Sequence, residues 1–194
     1  MLSPDGWESL WSLVGPDRIR VLHMDSRSDL DGKLLSELGD DPLEALFDTL
    51  ADEGGTALMC DVTEDESTLE TILSDPLMSF STDALYSSAV VHPRSHSAAL
   101  ELVRHFCLER RLFTLEECIR RMSGENARRL GLSDRGLVRE HAAADLVLFR
   151  PDSLDPSAGW QQSRGIEYVL VNGRTAFQSG HCNEGRNGGI LLKV

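Results

Sequence analysis

The sequence predicts an α/β fold. Short β-like runs alternate with amphipathic helices from Arg18 to Leu112, and this order implies parallel strands joined by right-handed crossovers. Beyond the capping box at Thr114–Glu117 the signals turn to β-branched runs and a hairpin dipeptide, so a helical part precedes a β part. A short apolar run, Leu77–Ala84, carries Asp83 near its end, which is how a (β/α) barrel presents a catalytic carboxylate.

Ile19–Leu22 reads as the first strand, and Gly32–Leu38 as a short helix after a polar loop. Asp41-Pro42-Leu43-Glu44 then supplies an N-cap, a proline at the first helical position and an acid at the third. Leu43, Leu46, Phe47, Leu50 and Ala51 share one face of that helix, which Gly54-Gly55 ends. Thr56–Cys60 is the next strand. Thr63–Glu66 caps a helix bearing Leu69, Ile72 and Leu73, and Pro76 leads into the strand that ends near Asp83. Ala99, Leu102, Val103, Phe106 and Cys107 recur at helical spacing. Three such units are too few to close a barrel, which needs about eight strands. They suit the end of one.

Leu115, Cys118, Ile119 and Met122 fall on one helix face, and Ser123 caps a short helix that stops at Gly131. Asp145–Phe149 and Tyr168–Val171 read as strands, Asn172-Gly173 as a two-residue hairpin turn, and Ile190–Val194 as a last strand. Pro151–Ser163 is a connecting loop.

The 19 basic and 32 acidic side chains leave a formal charge of -13, which opposes nucleic acid and anionic membrane surfaces alike. No segment approaches the roughly 18 uninterrupted apolar residues of a membrane span, and no basic stretch followed by a long apolar run opens the chain. A cytoplasmic protein is expected. Cys60, Cys107, Cys118 and Cys182 are widely spread and read as buried reduced thiols.

Several stretches carry a resemblance: Gly32–Leu38 before the Asp41-Pro42 helix, Ser81–Asp83 followed by His92-Pro93-Arg94, Thr114–Met122 leading to Ala127–Leu132, Gly136–Phe149, and Gly165–Gly173. In this order they resemble the C-terminal part of N-acyl-D-amino-acid deacylases of the amidohydrolase superfamily. The likeness covers nearly the whole chain from about Arg18 onward. It implies the last strands and helices of a metal-dependent (β/α)8 barrel over residues 1–132, then part of a small β-sandwich domain over residues 133–194.

The resemblance also implies zinc and hydrolysis of the amide C–N bond of a small N-acyl-D-amino acid. The residue matching the family's catalytic and metal-binding aspartate is Asp83. Arg94 suits a substrate carboxylate or a surface charge equally. The chain departs from the family pattern at His141, where glycine is usual, at Arg150, where an acid is common, and at Ser97–Leu100. The family's H-x-H pair and later metal-binding side chains have no counterpart here, so zinc is not expected to bind this chain alone. His92 and His96 are separated by Pro93, which argues against one helix face holding both. His23 ends a strand where a ligand could sit, with a structural role the leading expectation.

Four readings follow. The chain is an incomplete deacylase, half of a split enzyme completed by another subunit, part of a cyclic-amide amidohydrolase, or a non-catalytic assembly protein derived from an amidohydrolase tail. In an incomplete fold the exposed sheet edges would favour self-association.

Overall fold

The computed structural model describes residues 10–84, 93–158, 164–185 and 188–189. The chain divides into two compact units, one holding the described residues up to Leu69, the other Glu70–Ala84 and those from Pro93 onward.

The first unit contains α1 (Leu10–Val14), β1 (Ile19–His23), α2 (Pro42–Asp52) and β2 (Leu58–Asp61). Its core is Val14, Ile19, Val21, Met24, Leu30 and Leu35, with Leu46 and Met59 packed against it. Asp41 caps α2 as expected, its carboxylate accepting the amides of Leu43 at 3.0 Å and Glu44 at 3.2 Å. The helix expected over 32–38 is instead a single 3₁₀ turn, Leu35–Glu37.

The parallel pairing is overturned. β1 and β2 run antiparallel, with Ile19 opposite Asp61 and Val21 opposite Met59. The reason lies in the polar loop: Gly32 donates to the Val21 carbonyl at 2.8 Å, Val21 donates to the Lys33 carbonyl at 2.9 Å, and Leu34 bridges Arg20 antiparallel. The chain has therefore doubled back along β1 before α2 begins, and β2 enters with the opposite sense.

The helix α3 (Glu66–Ser74) crosses from one unit to the other. Asp65 caps it through the Thr68 amide at 2.7 Å, and of its expected apolar face only Leu73 is buried. In the second unit α4 (Ala98–Glu101) continues as a π-helix over Leu102–Glu109, followed by α5 (Leu115–Met122) and α6 (Gly124–Arg129). The sequence spacing suits an α-helix, but over two turns a π-helix buries nearly the same set, Leu102, Val103 and Cys107.

A four-stranded antiparallel sheet has the order β3 (Leu146–Phe149), β4 (Ile166–Val171), β5 (Arg174–Gln178), β6 (His181–Cys182). Asn172 and Gly173, at φ 48° and 75°, form the expected hairpin turn between β4 and β5. At Gly165 (φ 84°) a Cβ would lie 2.7 Å from the Leu154 backbone nitrogen, so only glycine fits the entry to β4. Helices and sheet share one core: Leu73, Leu102, Val103, Cys107, Cys118 and Leu154 pack with Phe149 and Ile166. The strand expected over 190–194 lies outside the described residues.

Candidate functional site

No strand delivers Asp83. Residues 75–84 form a turn and then irregular chain, so the expected strand is absent, and Asp83 itself adopts a left-handed φ of 45°. Three side chains from the α5–α6 pair take the place of a sheet ladder. Arg121 Nη1 donates to the carbonyls of Leu73 at 2.6 Å and Asp75 at 3.0 Å. Arg129 Nη2 donates to the Leu77 carbonyl at 2.7 Å, and Asn126 Nδ2 to that of Phe80 at 2.9 Å. These bonds satisfy backbone acceptors that a strand neighbour would otherwise meet.

Arg121 is held in turn. Its side chain is 7% exposed, its Nε donates to Glu117 Oε1 at 2.6 Å, and its guanidinium lies 5.2 Å from the centre of the Phe113 ring. Glu117, facing Arg120 and Arg121, has its carboxyl held down to about 2 by those two guanidinium partners. The segment carrying Asp83 is thus anchored to a charged network that stays ionised at neutral pH. Nothing in the local sequence signals these anchors, which lie 46 to 52 residues away.

The two residues singled out from sequence come together. Arg94, in a 3₁₀ turn over Pro93–Ser95, places Nη2 3.0 Å from Asp83 Oδ2. Asp83 is 78% exposed and Arg94 40%, so the pair meets solvent. His92 lies outside the described residues. His96 is half-buried, and its Nδ1 has no partner among the described residues.

His23 is engaged on both ring nitrogens, Nδ1 with Asp31 at 2.9 Å and Nε2 with Asp25 at 3.2 Å. That arrangement occupies both nitrogens a metal would use. Cys107 and Cys118 are buried, as expected, whereas Cys182 is exposed and Cys60 half-buried. Among the described residues no group of three or more His, Cys, Asp or Glu side chains could hold a metal ion.

A separate apolar cleft of about 900 Å³ lies in the second unit between the α4–α5 region and the sheet. Asp83 and Arg94 do not line it. Among the described residues no helix is long and apolar enough to cross a membrane.

Comparison with known proteins fits these features. The Amidohydrolase family matches residues 24–177. The N-acyl-D-aspartate deacylase of Alcaligenes xylosoxydans xylosoxydans is 35% identical over 163 residues, covering 82% of this chain and 32% of that protein. The N-acyl-D-glutamate deacylase of the same organism is 34% identical over 117 residues, covering 58% of this chain and 24% of that protein. The crystal structure of N-acyl-D-glutamate deacylase from Bordetella bronchiseptica, complexed with zinc and a phosphonate that mimics the tetrahedral intermediate, superposes with a TM-score of 0.71 at 28% identity. It covers 83% of this chain and 35% of that one. The chain therefore spans about a third or less of the length of these relatives. With the match extending over most of its residues, the chain belongs to the amidohydrolase family.

Proposed function

We propose that this chain supplies the proton-transferring carboxylate and a substrate-binding arginine to a zinc-dependent hydrolase of N-acyl-D-amino acids. The observation that carries the reading is the Asp83–Arg94 contact at 3.0 Å, in a chain whose relatives are deacylases. In this reading residues 1–132 are the end of a barrel and 133–194 part of a small β domain.

Zinc requires about three protein ligands in a catalytic site, and the described residues offer no such group. The donor set of the described residues does not fit the metal, and in this reading its ligands come from outside them. What the chain's own residues do is definable. Asp83 accepts a proton from the water that attacks the amide carbonyl, then returns it to the nitrogen as the C–N bond breaks. The products are a free carboxylate and the amino acid, and the carboxylate of Asp83 is regenerated.

Arg94 pairs with the α-carboxylate of the substrate. In the free protein it pairs with Asp83, so a substrate carboxylate competes with Asp83 for the guanidinium, and binding releases the catalytic oxygen. N-acetyl-D-aspartate and N-acetyl-D-glutamate are the first substrates to test.

The test uses the protein purified with whatever completes it in the cells that make it. Asp83→Asn should lower zinc-dependent hydrolysis by about a thousandfold or more with little change in KM. Arg94→Ala should act mainly by raising KM, by about tenfold or more. Full activity in Asp83→Asn would sink the reading. A second reading, a non-catalytic assembly protein, rests on the exposed apolar surface of the second unit; it predicts a stable assembly with no hydrolysis.

A further inference from the structure

Three sulfur atoms converge in the core of the second unit. Cys107 and Cys118 are 3% and 0% exposed and belong to one core cluster, against which Met122 packs. One helical turn along α5, the Cys118 thiol donates to the Met122 thioether, with Sγ 3.8 Å from Sδ. The Cys107 and Cys118 thiols lie within hydrogen-bonding reach of each other, and Cys107 Sγ also donates to the Phe113 carbonyl at 3.5 Å. Cys107 comes from the π-helix, a winding that is uncommon and is found often at functional sites. A single buried cysteine is ordinary core, whereas two thiols and a thioether meeting in one place are the donor set of a soft metal ion.

We propose that Cys107, Cys118 and Met122 form a binding site for one copper(I) ion. In a trigonal arrangement with metal–sulfur bonds of about 2.3 Å, neighbouring sulfurs stand about 4 Å apart, close to the 3.8 Å between Cys118 and Met122. The Met122 sulfur accepts the Cys118 proton, so an ion that displaces this proton finds a further ligand in place. Binding is an exchange of protons for metal with no change of oxidation state: two copper–thiolate bonds and one copper–thioether bond form, and both S–H protons leave to solvent. The product carries one net negative charge in the core. The buried Arg121 guanidinium, within electrostatic reach of Cys118, offsets it, while Glu116 and Glu117 act in the other direction, Glu117 being itself paired with Arg120 and Arg121. Burial holds both thiols protonated, so only an ion of high affinity for thiolate takes their place. Zinc prefers four tetrahedral ligands, and the soft thioether selects copper(I) over it. Met122 and Val103 line the cleft of about 900 Å³, which gives an ion a route from solvent to the sulfurs. The site stands apart from the deacylase reading, since it uses neither Asp83 nor Arg94.

The test titrates the purified chain, reduced and kept under nitrogen, with Cu(I) in competition with a chromogenic Cu(I) chelator, and copper X-ray absorption reads the ion's neighbours. The expected result is one Cu(I) held per chain, three sulfur neighbours, and about two protons released per ion. The Cys60→Ser, Cys182→Ser double variant removes the half-buried and exposed thiols and should bind equally well. Met122→Leu, which keeps the core volume, should weaken binding by about tenfold or more and leave two sulfur neighbours. Cys118→Ala should weaken it by about a hundredfold or more. A chain that holds no Cu(I) against the chelator, binding that disappears in the Cys60, Cys182 double variant, or zinc held as tightly as copper would overturn the proposal. So would a Met122→Leu variant with unchanged affinity and sulfur count.

Discussion

Asp83 shows how little regular structure a candidate site residue needs. Its φ of 45° is uncommon outside glycine, though aspartate tolerates it better than most residues, and its carboxylate meets Arg94 across a turn. His23 is the other informative residue. A neutral imidazole has one N–H, whereas both of its nitrogens face carboxylate oxygens, so only the imidazolium can donate to Asp31 and Asp25 together. Hydrogen bonding to Asp31, then to Asp25, accordingly raises its pKa above the usual 6.5 against some burial. The Glu53 carboxylate, on the turn after α2, also feels its charge. With the folded pKa raised, the stabilisation is fully present below about pH 6.5 and is lost as pH rises through the folded value. The unfolding midpoints of the protein and of His23→Gln should therefore differ most below about pH 6.5 and converge at higher pH. A gap that widened with pH would show that the ring is neutral in the fold.

At the scale of elements, the segment before Asp83 tests whether side chains can replace a strand neighbour. Arg121→Met keeps bulk and helix propensity but leaves the carbonyls of Leu73 and Asp75 without their donor and Glu117 with one partner fewer. It should cost about 2 to 4 kcal/mol in denaturant unfolding and speed amide exchange over residues 75–80. A loss below about 0.5 kcal/mol would mean that the core around Leu73 alone holds the segment. The same segment explains what was legible in the sequence and what was not. The Asn172-Gly173 hairpin and the Asp41 and Thr114 caps could be read because a local backbone requirement selects those residues. The strand expected over 77–84 could not be rejected locally, since its fate depends on Arg121, Asn126 and Arg129 far along the chain. The sense of β1 and β2 was equally hidden: alternation names the elements, while the loop bonds of Gly32 and Lys33 decide their direction. Asp83 and Arg94 were legible as candidates through the family motif, and their contact only through the fold.

For the whole molecule the question is whether these 194 residues bind zinc by themselves. A site with zinc at a thousand times its Kd adds about 4 kcal/mol to stability, which moves the unfolding midpoint of a domain this size by several degrees. The described residues give no reason to expect that gain in the chain alone. His23 has both nitrogens occupied by carboxylates, and Asp83 is paired with Arg94. The Cys118 thiol is pushed up to about 12, chiefly by burial and then by the neighbouring Cys107, so it stays protonated at neutral pH in the metal-free chain. The isolated chain should therefore unfold at the same temperature, to within about 1 °C, with zinc or with a chelator. Under the proposed function, the protein purified with whatever completes it should lose several degrees on chelation. A chelation-sensitive midpoint in the isolated chain would place a zinc site within these 194 residues and remove the need for any completing segment.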